Sequence, residues 1–141
     1  MKQLKKGFAL LLTVCLLSAI LLTPAYAMAD EREEEPSRYT GVNFLASDIG
    51  INSWGKASCE AAGWVRTGYT AELRICLYRV LDNSIQLVKY WDIGTVSGDF
   101  LDGRAYYVVH GTYFSRATLT VHDSNGNYVE TVSAATGDYV Y

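Results

Sequence analysis

The clearest regularity in the chain is an alternation of apolar and polar positions between Tyr106 and Val132. Ser115, Ala117, Leu119 and Val121 fall on one side of a strand, and Arg116, Thr118, Thr120 and His122 on the other. A period of two with the apolar members on one side marks a strand that packs on one face only. Tyr106-Tyr-Val-Val-His predicts a strand before it, and Tyr128 to Val132 a returning strand after it. Between the last two, Asn125-Gly126 supplies residues suited to the positive φ of a tight hairpin turn. Gly111-Thr-Tyr113 stands where a sandwich often places a tyrosine whose hydroxyl pins a corner.

The same reading extends towards the N-terminus. Tyr39 to Ala46 predicts a first strand, Ser47-Asp48 a turn, and Ile49 to Gly55 a further extended piece. Lys56 to Arg66 starts with Lys56, Ser58 and Glu60 turned outward and loses phase at Gly63. Thr70 to Leu81 is the strongest early strand; Asp82-Asn83-Ser84 turns it into Ile85 to Trp91. Asp92 to Gly98 is expected to bend away, Asp99 to Gly103 to act as a link, and Tyr139 to Tyr141 to add a short last strand after a turn at Thr136-Gly137-Asp138. No stretch has helical periodicity. About seven strands with turn signals every 8–12 residues or so predict an all-β, immunoglobulin-like antiparallel β-sandwich over 39–141, with a small β-barrel as the alternative.

The first residues carry a different pattern. Lys2, Lys5 and Lys6 precede an apolar run of 15 residues, Phe8 to Leu22, and then small residues at Ala25, Ala27 and Ala29. That is the layout of an export signal, residues 1–27 with cleavage after Ala27, or alternatively after Ala29. The run is short against the roughly 20 residues of a membrane span. Cys15 lacks the small residue before it that lipid attachment requires, and further apolar residues follow it. Residues 28–38 read as an acidic, disordered spacer built around Asp30-Glu-Arg-Glu-Glu-Glu35 and Pro36. The expected product is a secreted, extracellular domain of about 112 residues that does not engage the membrane once the signal is removed.

Charge narrows the partners. The whole chain has 12 Lys and Arg against 15 Asp and Glu. From Asp30 onward the count is nine against fifteen, and from Ser37 eight against ten, a formal −2. A nearly neutral domain without basic clusters is not built for nucleic acid or anionic membranes. The expected partner is an extracellular protein or glycan, and the expected state a monomer or weak homo-oligomer.

Cys59 and Cys76 follow the leader, and an even count in an exported chain predicts one disulfide. The two lie at equal distances from a turn at Thr67-Gly68, so a hairpin there would face them across two strands. Alternation runs against this, since Leu73, Ile75 and Leu77 look inward and turn Cys76 outward. A bulge near Ala62-Gly63 would reconcile the two; free thiols or an intermolecular bond are the alternatives.

Gly55-Lys-Ala57, Leu77-Tyr-Arg79 and Trp91, followed by Val108-Val-His-Gly111-Thr-Tyr113, Arg116, Gly126, Glu130-Thr131 and Ser133, resemble a group of small secreted β-sandwich domains of unknown function from Gram-positive bacteria. The chain departs from that pattern at Ile85, where the group has Trp, and at Phe114-Ser115, where it has a Tyr-Arg pair. A looser likeness to fibronectin type III modules rests on Gly111-Thr-Tyr113 and the Asn-Gly hairpin. Both resemblances imply a sandwich, the first also implies export, and neither supplies catalytic residues.

Catalytic constellations are weak. Cys59, Cys76, His110 and His122 make up a Cys2His2 set on paper but lack the short ligand spacing of zinc sites, so no metal or cofactor is expected. Ser115, His122 and Asp123 are disqualified as a triad because neighbours on a strand point to opposite faces. Asp92, Asp99 and Asp102, with His110, are the only set that suits a small hydrolase of cell-wall or extracellular polymer, a chemistry needing two carboxyls at a defined separation. The aromatic load is more informative: ten tyrosines beyond the leader, plus Trp54, Trp64 and Trp91. Tyr106 and Tyr107 must face opposite ways, so one of them is exposed. The leading expectation is a non-enzymatic binding or interaction module that uses Tyr78, Tyr90, Trp91, Tyr106 and Tyr128. The hydrolase is the first alternative and a self-assembling subunit the second.

Overall fold

The computed structural model describes residues 38–141. The predicted signal, both cleavage positions and the spacer up to Ser37 lie outside the described residues. The strands are β1 (Val42–Ile51), β2 (Lys56–Val65), β3 (Tyr69–Leu81), β4 (Ser84–Val96), β5 (Gly98–Tyr107), β6 (Thr112–Asp123), β7 (Tyr128–Ala135) and the two-residue β8 (Tyr139–Val140). They form an antiparallel three-stranded sheet, β1-β2-β5, and a five-stranded one, β4-β3-β6-β7 with β8 beside β6. No ladder joins the two sheets, so the barrel does not form and the fold is an immunoglobulin-like sandwich.

Alternation decides what lies between the sheets. Ala71, Leu73, Ile75 and Leu77 of β3 and Ala117, Leu119 and Val121 of β6 meet Ala57, Cys59, Ala61 and Val65 of β2 in one core. Burying each leucine, isoleucine or valine of this set stabilises by about 1.5–3 kcal/mol. One polar relay crosses this core. The Ser47 hydroxyl donates to Ser115 Oγ at 3.2 Å, and Ser115 in turn bonds the Cys59 thiol. No buried side-chain polar atom among the described residues is left unpaired.

Two local devices close the fold. Tyr113 is buried, and its hydroxyl donates to the Val109 carbonyl at 2.8 Å, so the tyrosine corner exists. Gly111 sits against it because Arg79 passes there; a Cβ would come within 3.0 Å of Arg79 Nε. In the β6–β7 hairpin, Gly126 takes positive φ (82°). Asn125 does not, so the pair is not a two-residue turn; Asp123 instead accepts the backbone N–H groups of Asn125 and Asn127.

Other expectations need correction. Ser47-Asp48 is not a turn: β1 runs unbroken to Ile51, because Leu45, Ser47, Ile49 and Ile51 keep one face inward. The turn falls instead at Asn52 to Gly55, where Asn52 Oδ1 accepts the N–H groups of Trp54 and Lys56. No bulge occurs at Ala62-Gly63; the register of β2 with both neighbours is continuous there. Gly63 is an inward position whose missing side chain leaves room for the Phe100 ring. β4 continues past Trp91 to Val96, and the supposed link at Asp99 to Gly103 is the first half of β5.

The disulfide is also overturned. Cys59 and Cys76 are both free and buried. Thr67-Gly68 does not join two strands of one sheet: β2 belongs to the three-stranded sheet and β3 to the other. Cys59 points into the core, whereas Cys76 alternates with Ile75 and Leu77 and so stands on the outer face of its sheet. The β3 backbone lies between the two sulfurs.

Candidate functional site

The register of the five-stranded sheet states which residues share its outer face. Row by row across β4, β3 and β6 they are Ile85, Val80 and Thr112; Leu87, Tyr78 and Phe114; Tyr90, Cys76 and Arg116; Asp92, Arg74 and Thr118; and Thr95, Glu72 and Thr120. Strand β7 adds Ser133 beside Thr118 and Thr131 beside Thr120. The face therefore has an apolar, aromatic half towards the β3–β4 turn and a polar half towards the other end.

Two arginines join the halves. The Tyr78 and Phe114 rings stack at 4.9 Å with 12° between their planes, and the Arg116 guanidinium lies over both at 5.4 and 5.8 Å. The Arg74 guanidinium lies 5.2 Å from the Tyr90 ring centroid and pairs with Asp92 at 2.6 Å. Cation–π contacts of this kind contribute about 0.5–1 kcal/mol each at exposed sites. Cys76 is buried because these larger side chains cover it, not because it reaches the core. Burial is the first cause raising the Tyr78 pKa, with Cys76 beside it adding and Arg116 opposing. The hydrogen bond and charge of Asp92 in turn raise the Arg74 pKa, so the guanidinium stays charged.

Much of the apolar half stays open to solvent. Tyr90 is 51% exposed, Leu87 48% and Ile85 61%. The polar half holds a shallow depression of about 410 Å³ lined by Glu72, Leu73, Arg74, Asp92, Gly94, Thr118 and Thr120. The short Thr118 and Thr120 line it beside the longer side chains of Glu72 and Arg74.

The five predicted contact residues do not form one patch. Tyr78 and Tyr90 come together on this face. Tyr128 is also on it but at the far end, edge-to-face with His122 at 6.5 Å and bonded to Thr131. Trp91 is turned the other way, opposite Ile75, and packs against the core. Tyr106 lies opposite Ala57 on β5 and lines a separate cleft with Leu87, Val88 and Tyr113.

The residues named for hydrolysis are scattered. Asp92 is on the outer face of the five-stranded sheet, paired with Arg74. Asp99 lies opposite Trp64 on the outer face of the other sheet, and Asp102, three residues on, is on the inner side, paired with Arg104. His110 stacks on Tyr141 at 4.4 Å in the loop after β5. Ser115 is in the core and His122 on the outer face, so they do not meet. Cys59, Cys76, His110 and His122 are equally dispersed, and among the described residues no three His, Cys, Asp or Glu side chains gather as metal ligands.

A second exposed apolar cluster was not foreseen. Phe44 (49% exposed), Trp64 (45%) and Leu101 (74%) stand on the outer face of the three-stranded sheet, with Ala46 and Ala62 between them. The inward phase of Ala57, Ala61 and Val65 was the signal that could have placed Trp64 outside. No known protein family matches this chain, and no curated protein is similar to it in sequence.

Proposed function

We propose that this protein is a secreted, non-enzymatic binding module whose contact surface is the outer face of the five-stranded sheet. The observation that carries the reading is the gathering of Tyr78, Tyr90, Phe114, Arg74 and Arg116 on one face, beside open Leu87 and Ile85. Aromatic residues and arginine are the types enriched where partners are held. The dispersal of Asp92, Asp99, Asp102 and His110 leaves the hydrolase without its constellation.

The test is a glycan array together with a pull-down of culture-surface proteins, using the native chain, Tyr90→Ala, Leu87→Ser and the control Leu101→Ser. Retention lost in the first two variants and kept in the control supports the reading. Silence of the native chain in both assays, or loss in the control alone, refutes it. The self-assembling reading rests on one observation, the thirteen residues of β4, which among the described residues pair only with β3. An open edge is a template for a further strand. Light scattering showing a monomer at high concentration removes it.

A further inference from the structure

The depression in the polar half of the outer face is lined chiefly by charged and hydroxyl side chains. From the lining described above, we infer that it is a saccharide subsite, taking a segment of a neutral or amine-bearing oligosaccharide. The inference rests on the binding-module reading and names its ligand class.

Four observations carry it. The volume, about 410 Å³, lies in the lower part of the roughly 300–1,000 Å³ span of small-ligand sites, enough for roughly one or two sugar rings. The polar groups are of both hydrogen-bonding kinds, as vicinal hydroxyls require: carboxylates accept, the guanidinium donates, and threonine hydroxyls do either. Several have capacity to spare. The Glu72 carboxylate and the Thr120 hydroxyl are bonded to no other described residue, and Thr118 makes one side-chain bond, to Ser133 at 3.0 Å. Finally, Tyr90 continues the surface just beyond Arg74 as an exposed ring.

Charge sets the class of sugar. The lining carries Glu72 and Asp92 against Arg74, a formal −1, and Asp92 already occupies Arg74. Glu72 is the unmatched charge, so uronic acids and phosphate-bearing glycans are repelled, while a hydroxyl or an ammonium group is accepted.

The experiment is an amide-resolved NMR titration of the purified chain with three probes: chitohexaose, its deacetylated glucosamine hexamer, and an oligogalacturonate of similar length. Saturable shifts at Glu72, Arg74, Thr118 and Thr120 with either of the first two, and none with the third, are expected. The double variant Thr118→Val/Thr120→Val keeps the β-branched shape and is expected to weaken binding about tenfold, with an unchanged thermal midpoint. Glu72→Gln is expected to remove any advantage of the deacetylated over the acetylated hexamer. No saturable shift with any probe, stronger binding of the galacturonate, or shifts mapping elsewhere overturns the inference. If a protein is retained by the native chain, lost in Leu87→Ser and untouched by the double threonine variant, the saccharide subsite falls while the binding module stands.

Discussion

Strands β3 and β6 present two faces made from alternate residues of the same backbone, and the two faces follow different rules. Inward, Leu73, Ile75, Leu77, Ala117, Leu119 and Val121 are apolar and closed to water, with Ser115 admitted only because Ser47 and Cys59 satisfy it. Outward, Glu72, Arg74, Cys76, Tyr78, Arg116 and Thr118 mix charge, ring and hydroxyl. The inner face must be filled without gaps, since a void there loses both transfer energy and contacts. The outer face has only to remain soluble, which leaves its composition free to suit a partner.

The two cysteines are the smallest version of this contrast. Both are buried, yet Cys59 is enclosed by two sheets and Cys76 only by side chains that can swing away. Burial pushes the Cys59 thiol up to about 11, against the smaller lowering effect of Ser115.

The widest separation between the faces is expected from neighbours on β6. Leu119→Ala should cost about 2–5 kcal/mol, and Thr118→Ala, one residue away, within about 0.5 kcal/mol; urea unfolding of both checks this, and equal losses would erase the distinction. The next effect is alkaline. With a folded-state pKa above the ordinary 9.0, Cys59 contributes stability that is whole below pH 9 and lost as pH rises towards 11. The loss is of order 2 kcal/mol, and a Cys59→Ala chain with the same pH slope as the native one would contradict it. Tyr113→Phe removes the bond to Val109 and should lower stability by about 1 kcal/mol, read as a shift in the unfolding midpoint without a change in slope. On the outer face, Arg116→Ala should cost no more than about 1 kcal/mol while speeding alkylation of Cys76, not Cys59, as followed by mass spectrometry. The smallest effect belongs to Asp123, whose pKa the amides of Asn127 and Asn125 hold below its ordinary value. Its contribution is present above the usual carboxylate pKa and disappears as pH falls through the lower folded value. Protection of the Asn125 and Asn127 amides, taken relative to intrinsic exchange at each pH, should fall in acid, and unchanged protection would refute it.

Legibility followed periodicity. β3 and β6 were readable because each buries a run of alternate residues on one face, so alternation is clean, and Gly111-Thr-Tyr113 and Gly126 carried their own turn chemistry. β4 and β5, both edge strands, were cut short because their own patterns are irregular. β4 carries Val88 and Ile93 as extra residues at two register shifts, which breaks its alternation, and β5 places Asp102 and Arg104 on its inner side. Such irregularities and inward charges blunt an edge against unwanted pairing. The candidate face was half legible. Tyr78 and Tyr90 were named, but Trp91 turns inward, and the partners that matter most, Arg74, Arg116 and Phe114, come from strands whose register the chain does not spell out.

Taken by itself, the order of residues determined an all-β sandwich, the inward set of its central strands, the tyrosine corner and the site of the β6–β7 turn. All of these depend on neighbours within a few residues, whose steric and hydrogen-bonding preferences act locally. Only the tertiary structure decided that β2 and β3 part into different sheets, which keeps the two sulfurs on opposite sides of a backbone. It also decided which rings and cations share a surface. Those outcomes depend on pairings between residues far apart in the chain, and the register of such pairings is chosen by how the whole core packs.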